Sequence, residues 1–270
     1  MDTKLFYLGI GLAVALVFAG ASAWSGVAKA SSIHGDRETL YQVSSMNALA
    51  QGSFDGIEPV AEIKKHGDFG LGTFDSLNGE MIVLDGKVWQ VTADGKVRVA
   101  PDDVTTPFAE LTFFDRDIAI PEDKPVNYTG LTSEITAKLP SKSSISAVKI
   151  HGHFPSIKVR SVPRQQKPFP TLVAAAANQS VFTLENATGT VVGFYEPEYL
   201  NGIGVPGYHL HFISDDHRTG GHILDLTTEP GMTVELDTTT GFFASLPAPD
   251  PSVGVDAAKN VSADLVRAER

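Results

Sequence analysis

The sequence predicts an α+β fold dominated by β-structure, with two successive sheets and few short helices. Three observations carry that expectation. The 270 residues include 25 Gly and 16 Pro, a turn-rich composition with few stretches of helical period. Asp85-Gly86 and Asp94-Gly95 each sit between apolar runs, a strong short-range hairpin signal. Between Tyr208 and Phe212, imidazoles alternate with apolar side chains, the period of a strand.

Residues 1–30 stand apart from the fold. Lys4 is followed by the apolar run Leu5 to Ala21, then by Ala28-Lys29-Ala30, the small-x-small pattern at which export signals are cleaved. A retained N-terminal membrane anchor is the alternative, because the apolar run is long and Asp2 offsets Lys4. The first half, residues 31–125, opens with a short helix within Arg37 to Gln51, ended by Gly52, and a second short helical or extended piece from Val60 to Lys65. From Phe69 it turns to strands: Gly70 to Phe74, Met81 to Leu84, Val88 to Val91, Val97 to Val99, and Ala109 to Phe114, which closes the first sheet.

The second half, residues 126–246, begins with a strand and short helix over Asn127 to Leu139. Strands follow at Ser144 to Ile150 and Phe154 to Val162, the latter interrupted by Pro155, then a short Ala-rich helix from Leu172 to Asn178. Val181 to Glu185, Thr190 to Tyr195, Tyr208 to Ile213, His222 to Leu226 and Thr233 to Leu236 complete a second sheet. Residues 247–270 form a tail, Pro-rich from Pro247 to Gly254 and charged from Ala263 to Arg270, the pattern of either a disordered end or a short docking helix.

The candidate chemistry gathers in Gly207-Tyr208-His209-Leu210-His211-Phe212 and Gly220-Gly221-His222. Strand alternation sends His209 and His211 to one face. A hairpin symmetric about Asp216 and His217 sets His211 directly across from His222, with side chains about 5 Å apart. Three neutral imidazoles with one open position form the pattern of a catalytic zinc site; a structural site closes with four ligands, usually thiolates, and this chain has no Cys. A polar sheet face is the plainer reading of such a hairpin. His151-Gly152-His153 is a second pair at strand spacing without a third ligand, read as supporting or surface residues. His217 sits at the turn tip, pointing away, and His34 and His66 lie in loop-like contexts. In Lys158-Val159-Arg160 the two cations share a face, and Arg160 can fork onto a carboxylate in a way Lys cannot. Glu80, opening an apolar strand, reads by itself as a rim charge.

Net charge of −11 and a pI near 5.1 argue against nucleic acid or an anionic membrane surface as partner. An anionic substrate needs a local metal or arginine to draw it in.

Taken in order, Ile33-His34-Gly35, Gly70-Leu71-Gly72-Thr73-Phe74, Leu77-Asn78-Gly79-Glu80-Met81 with Trp89, Val159-Arg160-Ser161-Val162-Pro163, Gln166-Lys167-Pro168 and the histidine hairpin resemble the bacterial α-acetolactate decarboxylases, over nearly all of residues 31–270. The resemblance implies two packed β-rich domains on mixed sheets, a homodimer, and zinc on His209, His211 and His222. It also implies Arg160 and Glu80 lining the pocket, Thr73 close by, and a glutamate near the C-terminus reaching back into the site. Glu269, the only acidic residue in the last five positions, is the choice there, with Asp264 the alternative. Its small-molecule substrate, 2-acetolactate, would be decarboxylated to acetoin without an organic cofactor, Arg160 orienting the carboxylate and Glu80 and Glu269 moving or positioning protons. The export-like segment departs from those members that remain inside the cell.

Two other readings share these features. A cupin-like metal oxygenase or isomerase also uses HxH, an acidic residue (here Asp215 or Asp216) and a distant His. A non-catalytic, exported metal-binding module needs only the histidine face. The latter has no need of Arg160 and Glu80 beside the three histidines, so those distances discriminate.

Overall fold

The computed structural model describes residues 37–247, 254–256 and 258–269. The export-like segment, its alternative as an anchor and Ile33-His34-Gly35 lie outside them. Among the described residues no helix is long and apolar enough to cross a membrane.

Among the described residues fifteen strands and five short α-helices follow one another. The first group is β1 (Thr39–Val43), α1 (Met46–Ala50), β2 (Glu58–Pro59), α2 (Val60–Ile63), β3 (Phe69–Thr73), β4 (Glu80–Leu84), β5 (Lys87–Val91), β6 (Val97–Val99), β7 (Thr105–Thr106) and β8 (Ala109–Thr112). After them come β9 (Ile118–Glu122), α3 (Tyr128–Lys138), β10 (Ile145–Ser161), α4 (Leu172–Ala176), β11 (Ser180–Glu196), β12 (Gly207–Ser214), β13 (Gly220–Thr227), β14 (Met232–Thr239), β15 (Gly241–Ser245) and α5 (Ser262–Ala268).

A seven-stranded sheet has the order β15-β1-β8-β3-β4-β5-β6, and a six-stranded one β11-β12-β13-β10-β14-β9; β2 and β7 pair separately. Only β1 and β15 run parallel, so the first sheet is mixed. In the second, β10 and β11 also pair along their length, which closes β10-β11-β12-β13 into a ring without free edges. The sheets do not divide at residue 125: β9 joins the second sheet and β15 crosses back to the first. The described residues fall in one contact-dense unit.

Local chemistry explains where the elements differ from expectation. The stretch expected as one helix from Arg37 is a strand and then a helix, because Ser44 turns the chain at φ 63° and Ser45 caps α1 by accepting from Ala48 N. Ala109 to Thr112 lies in the middle of its sheet, between β1 and β3, and does not close it. Asn127 is the N-cap of α3, accepting from Gly130 N; it makes a single β-bridge to Thr227 and not the strand expected there. Pro155 does not interrupt β10. On one edge β10 pairs with β14 up to His151 and with β13 from Ser156, so the proline falls in the gap, where a missing N–H loses no ladder bond. The two strands expected around residues 186–189 are one, β11, which absorbs the irregularity at Asn186, φ 52°.

Three apolar clusters hold the site in place. Phe154, Ile157, Val159, Leu210, Phe212 and Ile223 pack with Leu131 and Ile135 of α3, on the alternate residues to His209, His211, His222 and Arg160. Leu71, Ile82, Trp89 and Val91 of the first sheet meet Ala147, Val192, Phe194 and Ile213 of the second. Leu49 of α1, Leu172 of α4 and Leu265 of α5 form a third cluster with Leu77 and Phe108. At roughly 1.5–3 kcal/mol for each fully buried large apolar side chain, such packing is what holds strands of different sheets at fixed distances.

Candidate active site

Strand register assembles the site. β12 and β13 pair His211 with His222, the cross-strand match that the symmetric turn predicts. β10 and β13 pair Arg160 with His222, and β3 and β4 pair Thr73 with Glu80. Gly221 lets β13 approach β10 closely: at φ +144°, a Cβ there would sit 2.4 Å from the Arg160 carbonyl oxygen, so no other residue fits beside His222.

The imidazole centroids form a near-equilateral triangle of 5.2, 5.2 and 5.3 Å. One nitrogen from each ring lies within 4.8 Å of the others. His211 Nδ1 is 2.8 Å from the Met81 carbonyl oxygen, and His222 Nε2 is 3.0 Å from that of Glu269. A carbonyl only accepts, so these two nitrogens carry the protons and leave Nε2 of His211 and Nδ1 of His222 with lone pairs. Both are buried without a hydrogen-bond partner among the described residues. Each such orphan costs about 1–3 kcal/mol, and their convergence fits a shared cation. Burial pulls the imidazoles below their ordinary pKa, His211 and His222 well below it. They are therefore neutral at pH 7, the form that binds a metal.

Arg160 sits at the edge of this triangle. Its Nη1 donates to Glu80 Oε1 at 3.0 Å and its Nη2 to Glu269 Oε2 at 3.2 Å. Glu269 Oε2 is also 3.5 Å from His222 Nδ1 and 3.7 Å from His209 Nε2. Glu80 accepts from Val162 N at 3.2 Å and places Oε2 3.8 Å from His211 Nε2. Burial pushes the Glu80 carboxyl up, opposed by Arg160. Thr73 donates to the Gly79 carbonyl oxygen at 2.7 Å and lines, with Glu80, Arg160, His209 and Glu269, a cavity of about 30 Å³. All seven residues singled out in the sequence thus meet here. Asp264, the other acidic choice in the tail, is instead paired with Arg267 at 2.6 Å.

The remaining histidines are elsewhere. His151 pairs with Asp215 at 3.2 Å and His153 with Glu229 at 3.0 Å, both at the surface. His217 stacks on Trp89 at 4.3 Å. His66, expected in a loop, is buried and stacked on Tyr41 at 3.7 Å. Asp216 is held by Ser214 in the turn, so neither acidic residue of the cupin outline enters the site. Sequence reasoning passed over Glu110 and Glu196, both fully buried. Burial pushes the Glu110 carboxyl up to about 7, and burial with Glu110 alongside raises Glu196 well above the usual carboxylate range. The signal available was a glutamate inside the apolar run Ala109 to Phe114, since such residues are rarely buried unless paired.

A mixed-sheet β-protein with three convergent neutral imidazoles, a buried arginine and two carboxylates defines a class: enzymes that work on a small oxygen-rich anion at a site able to hold a metal. Comparison with known proteins narrows it. The family model of alpha-acetolactate decarboxylase matches residues 40–252. The chain is 45% identical to an alpha-acetolactate decarboxylase of Methanosarcina mazei over 86% of its own length and 81% of that protein. It is 38% identical to the Bacillus subtilis one, over 78% and 87% respectively. The crystal structure of alpha-acetolactate decarboxylase from Bacillus subtilis strain 168 superposes with a TM-score of 0.82 at 35% identity, covering 86% of this chain and 99% of that one. A Staphylococcus aureus protein described as similar to alpha-acetolactate decarboxylase superposes at 0.81 and 29% identity, over 86% and 100%. The chain belongs to the alpha-acetolactate decarboxylase family, and is a carboxy-lyase.

Proposed function

We propose that this protein converts (2S)-2-acetolactate to (R)-acetoin with zinc held by His209, His211 and His222. The observation that carries the reading is the Arg160 fork onto Glu80 and Glu269 beside the three lone-pair nitrogens. A storage or sensing module has no use for it.

A divalent cation bound by the three imidazoles supplies Lewis-acid polarisation of the ketone and offsets the negative charge that develops as carbon dioxide leaves. Zinc suits an all-imidazole set, and three protein ligands leave a position open for substrate. Arg160 orients the substrate carboxylate with its planar guanidinium. When the carbon–carbon bond breaks, its electron pair stays on the hydroxyl-bearing carbon, which must then take up one proton. Glu80, whose carboxyl burial pushes up against the pull of Arg160, donates or positions that proton; Glu269, reaching the ring nitrogens of His209 and His222, fixes the face from which it arrives. The apolar wall of Leu49, Leu77 and Phe108 excludes water that would compete.

The reading includes a homodimer, in line with the family resemblance, and export by residues 1–30, supported by the Leu5 to Ala21 run and Ala28-Lys29-Ala30. Sedimentation of the purified protein and N-terminal sequencing of the mature chain test these two points. The central test adds racemic 2-acetolactate to zinc-loaded and chelator-stripped protein and measures acetoin on a chiral column. Zinc-loaded protein is expected to release (R)-acetoin from half of the substrate and stripped protein none until zinc is restored. Full turnover by protein shown to be metal-free would overturn the reading.

A further inference from the structure

Two of the three imidazoles are oriented by main-chain carbonyls: His211 by Met81 and His222 by Glu269. His209 has no such acceptor. Its Nδ1, on the ring edge opposite the nitrogen that faces Glu269, is buried without a hydrogen-bond partner among the described residues. Glu110 Oε2 lies 3.8 Å from it.

Glu110 comes from the first sheet, where β8 pairs it with Gln42 of β1 and Leu71 of β3. Its exposure is 0%. Behind it stands Glu196, at the end of β11 and 1% exposed. The two carboxyls lie within hydrogen-bonding reach of each other, and the Val205 backbone lies beside Glu196. Among the described residues no Lys or Arg forms a salt bridge with Glu110. Gly204 closes over the second carboxyl so tightly that a Cβ there would stand 2.0 Å from Glu196 Oε2. Two carboxyl groups buried without a basic partner cost several kcal/mol. Such an arrangement persists when the charge that balances it lies on the other side of a shared imidazole.

We propose that Glu110, backed by Glu196, is the positioning residue of His209: Glu110 Oε2 accepts the Nδ1 proton, which fixes the tautomer and turns Nε2 into the site. The pair thereby completes the set, with one acceptor behind each imidazole. A ligating imidazole becomes a stronger Nδ1 donor, and a carboxylate behind it raises ligand basicity, an effect worth about 10- to 100-fold in metal affinity. Glu196 keeps Glu110 aimed at the ring, and Gly204 leaves room for Glu196. The inference rests on the reading of the three histidines as metal ligands, and is independent of the substrate.

The experiment titrates metal-free protein with zinc against a chromophoric chelator, alongside thermal melts of the same metal-free samples. Glu110→Gln keeps an acceptor but no charge and is expected to weaken zinc binding about tenfold, Glu110→Ala up to about 100-fold. Glu196→Gln and Gly204→Ala act through Glu110 and are expected to weaken it less. The metal-free Glu110→Gln protein is expected to melt at or above wild type, because the substitution removes a buried charge; a merely structural carboxylate would lower that melting point. Zinc binding by Glu110→Ala within threefold of wild type overturns the inference, as does an affinity loss in Glu110→Gln that follows a lowered metal-free melting point. His211→Ala separates the two levels: if it binds zinc like wild type, the ligand set itself is wrong; if it does not while Glu110→Ala does, only the role of Glu110 falls.

Discussion

Arg160 meets two carboxylates with one guanidinium, Glu80 at 3.0 Å and Glu269 at 3.2 Å, and neither of its terminal nitrogens touches a histidine. Its contribution is therefore separable from metal binding. His209→Ala removes one of three ligands, and is expected to abolish both bound zinc and acetoin formation. Arg160→Ala is expected to retain zinc while kcat falls about 10²- to 10³-fold, the scale seen when one preorganised charge-stabilising donor is lost. It should also lower stability by about 3–5 kcal/mol, since two buried carboxylates lose their partner, so rates belong well below its melting point. Metal analysis beside steady-state kinetics decides both. Full zinc occupancy in the first variant would refute the ligand assignment, and undiminished turnover in the second the role given to Arg160.

Among the elements, α5 has the largest effect for its size. Seven residues long, it presents Leu265 and Ala268 to the cluster with α1 and α4 and delivers Glu269 at its C-cap. An isolated helix of this length has no stability of its own, so Glu269 reaches the rings only while α5 is docked. Glu269 lines the cavity of about 30 Å³ beside Arg160 and His209. Leu265→Ala leaves every site residue in place but removes about 2–5 kcal/mol of packing. It is expected to lower kcat at least tenfold, to leave zinc bound, and to make the C-terminus more susceptible to proteolysis. Glu269→Gln should lower kcat with the helix still protected. Wild-type turnover by a Leu265→Ala protein whose tail is readily cleaved would show that α5 docking is not needed.

For the molecule as a whole, buried carboxyls set how stability varies with pH. Asp237, in β14 far along the sheet from the site, is 0% exposed and accepts from Asp115 N at 3.1 Å. Burial, reinforced by Glu38, Asp117 and Asp115, raises its carboxyl from 3.8 to about 7. Because the folded-state value lies above the unfolded one, the folded chain holds the proton more tightly between them. The stabilisation is complete below about pH 4 and is lost as pH rises through about 7, on the order of 4 kcal/mol in all. Asp237→Asn keeps an acceptor and cannot ionise. Its urea midpoint is expected to match wild type near pH 4 and to exceed it at pH 8; an unchanged gap between the two pH values would rule out Asp237 as the source.

Much of the site was legible because strand period and hairpin symmetry are local. The alternation from Tyr208 to Phe212 put His209 and His211 on one face, and the turn around Asp216 and His217 set His211 opposite His222, as observed. Arg160 stands out by strand alternation and its guanidinium fork, whereas its place in the pocket, with Glu80, Thr73 and Glu269, rests on motif resemblance, because no spacing in the chain links residues 80 and 269. What the sequence by itself determined was therefore the β-rich class, the histidine hairpin and the family. Tertiary structure alone decided that β10 runs unbroken past Pro155, that Glu269 and not Asp264 is the tail carboxylate at the rings, and that Glu110 from the first sheet comes to face His209 from the second. The physical reason is range: side-chain period and turn chemistry act over a few residues, whereas burial of a carboxylate and the gap that tolerates a proline depend on which distant strand packs alongside.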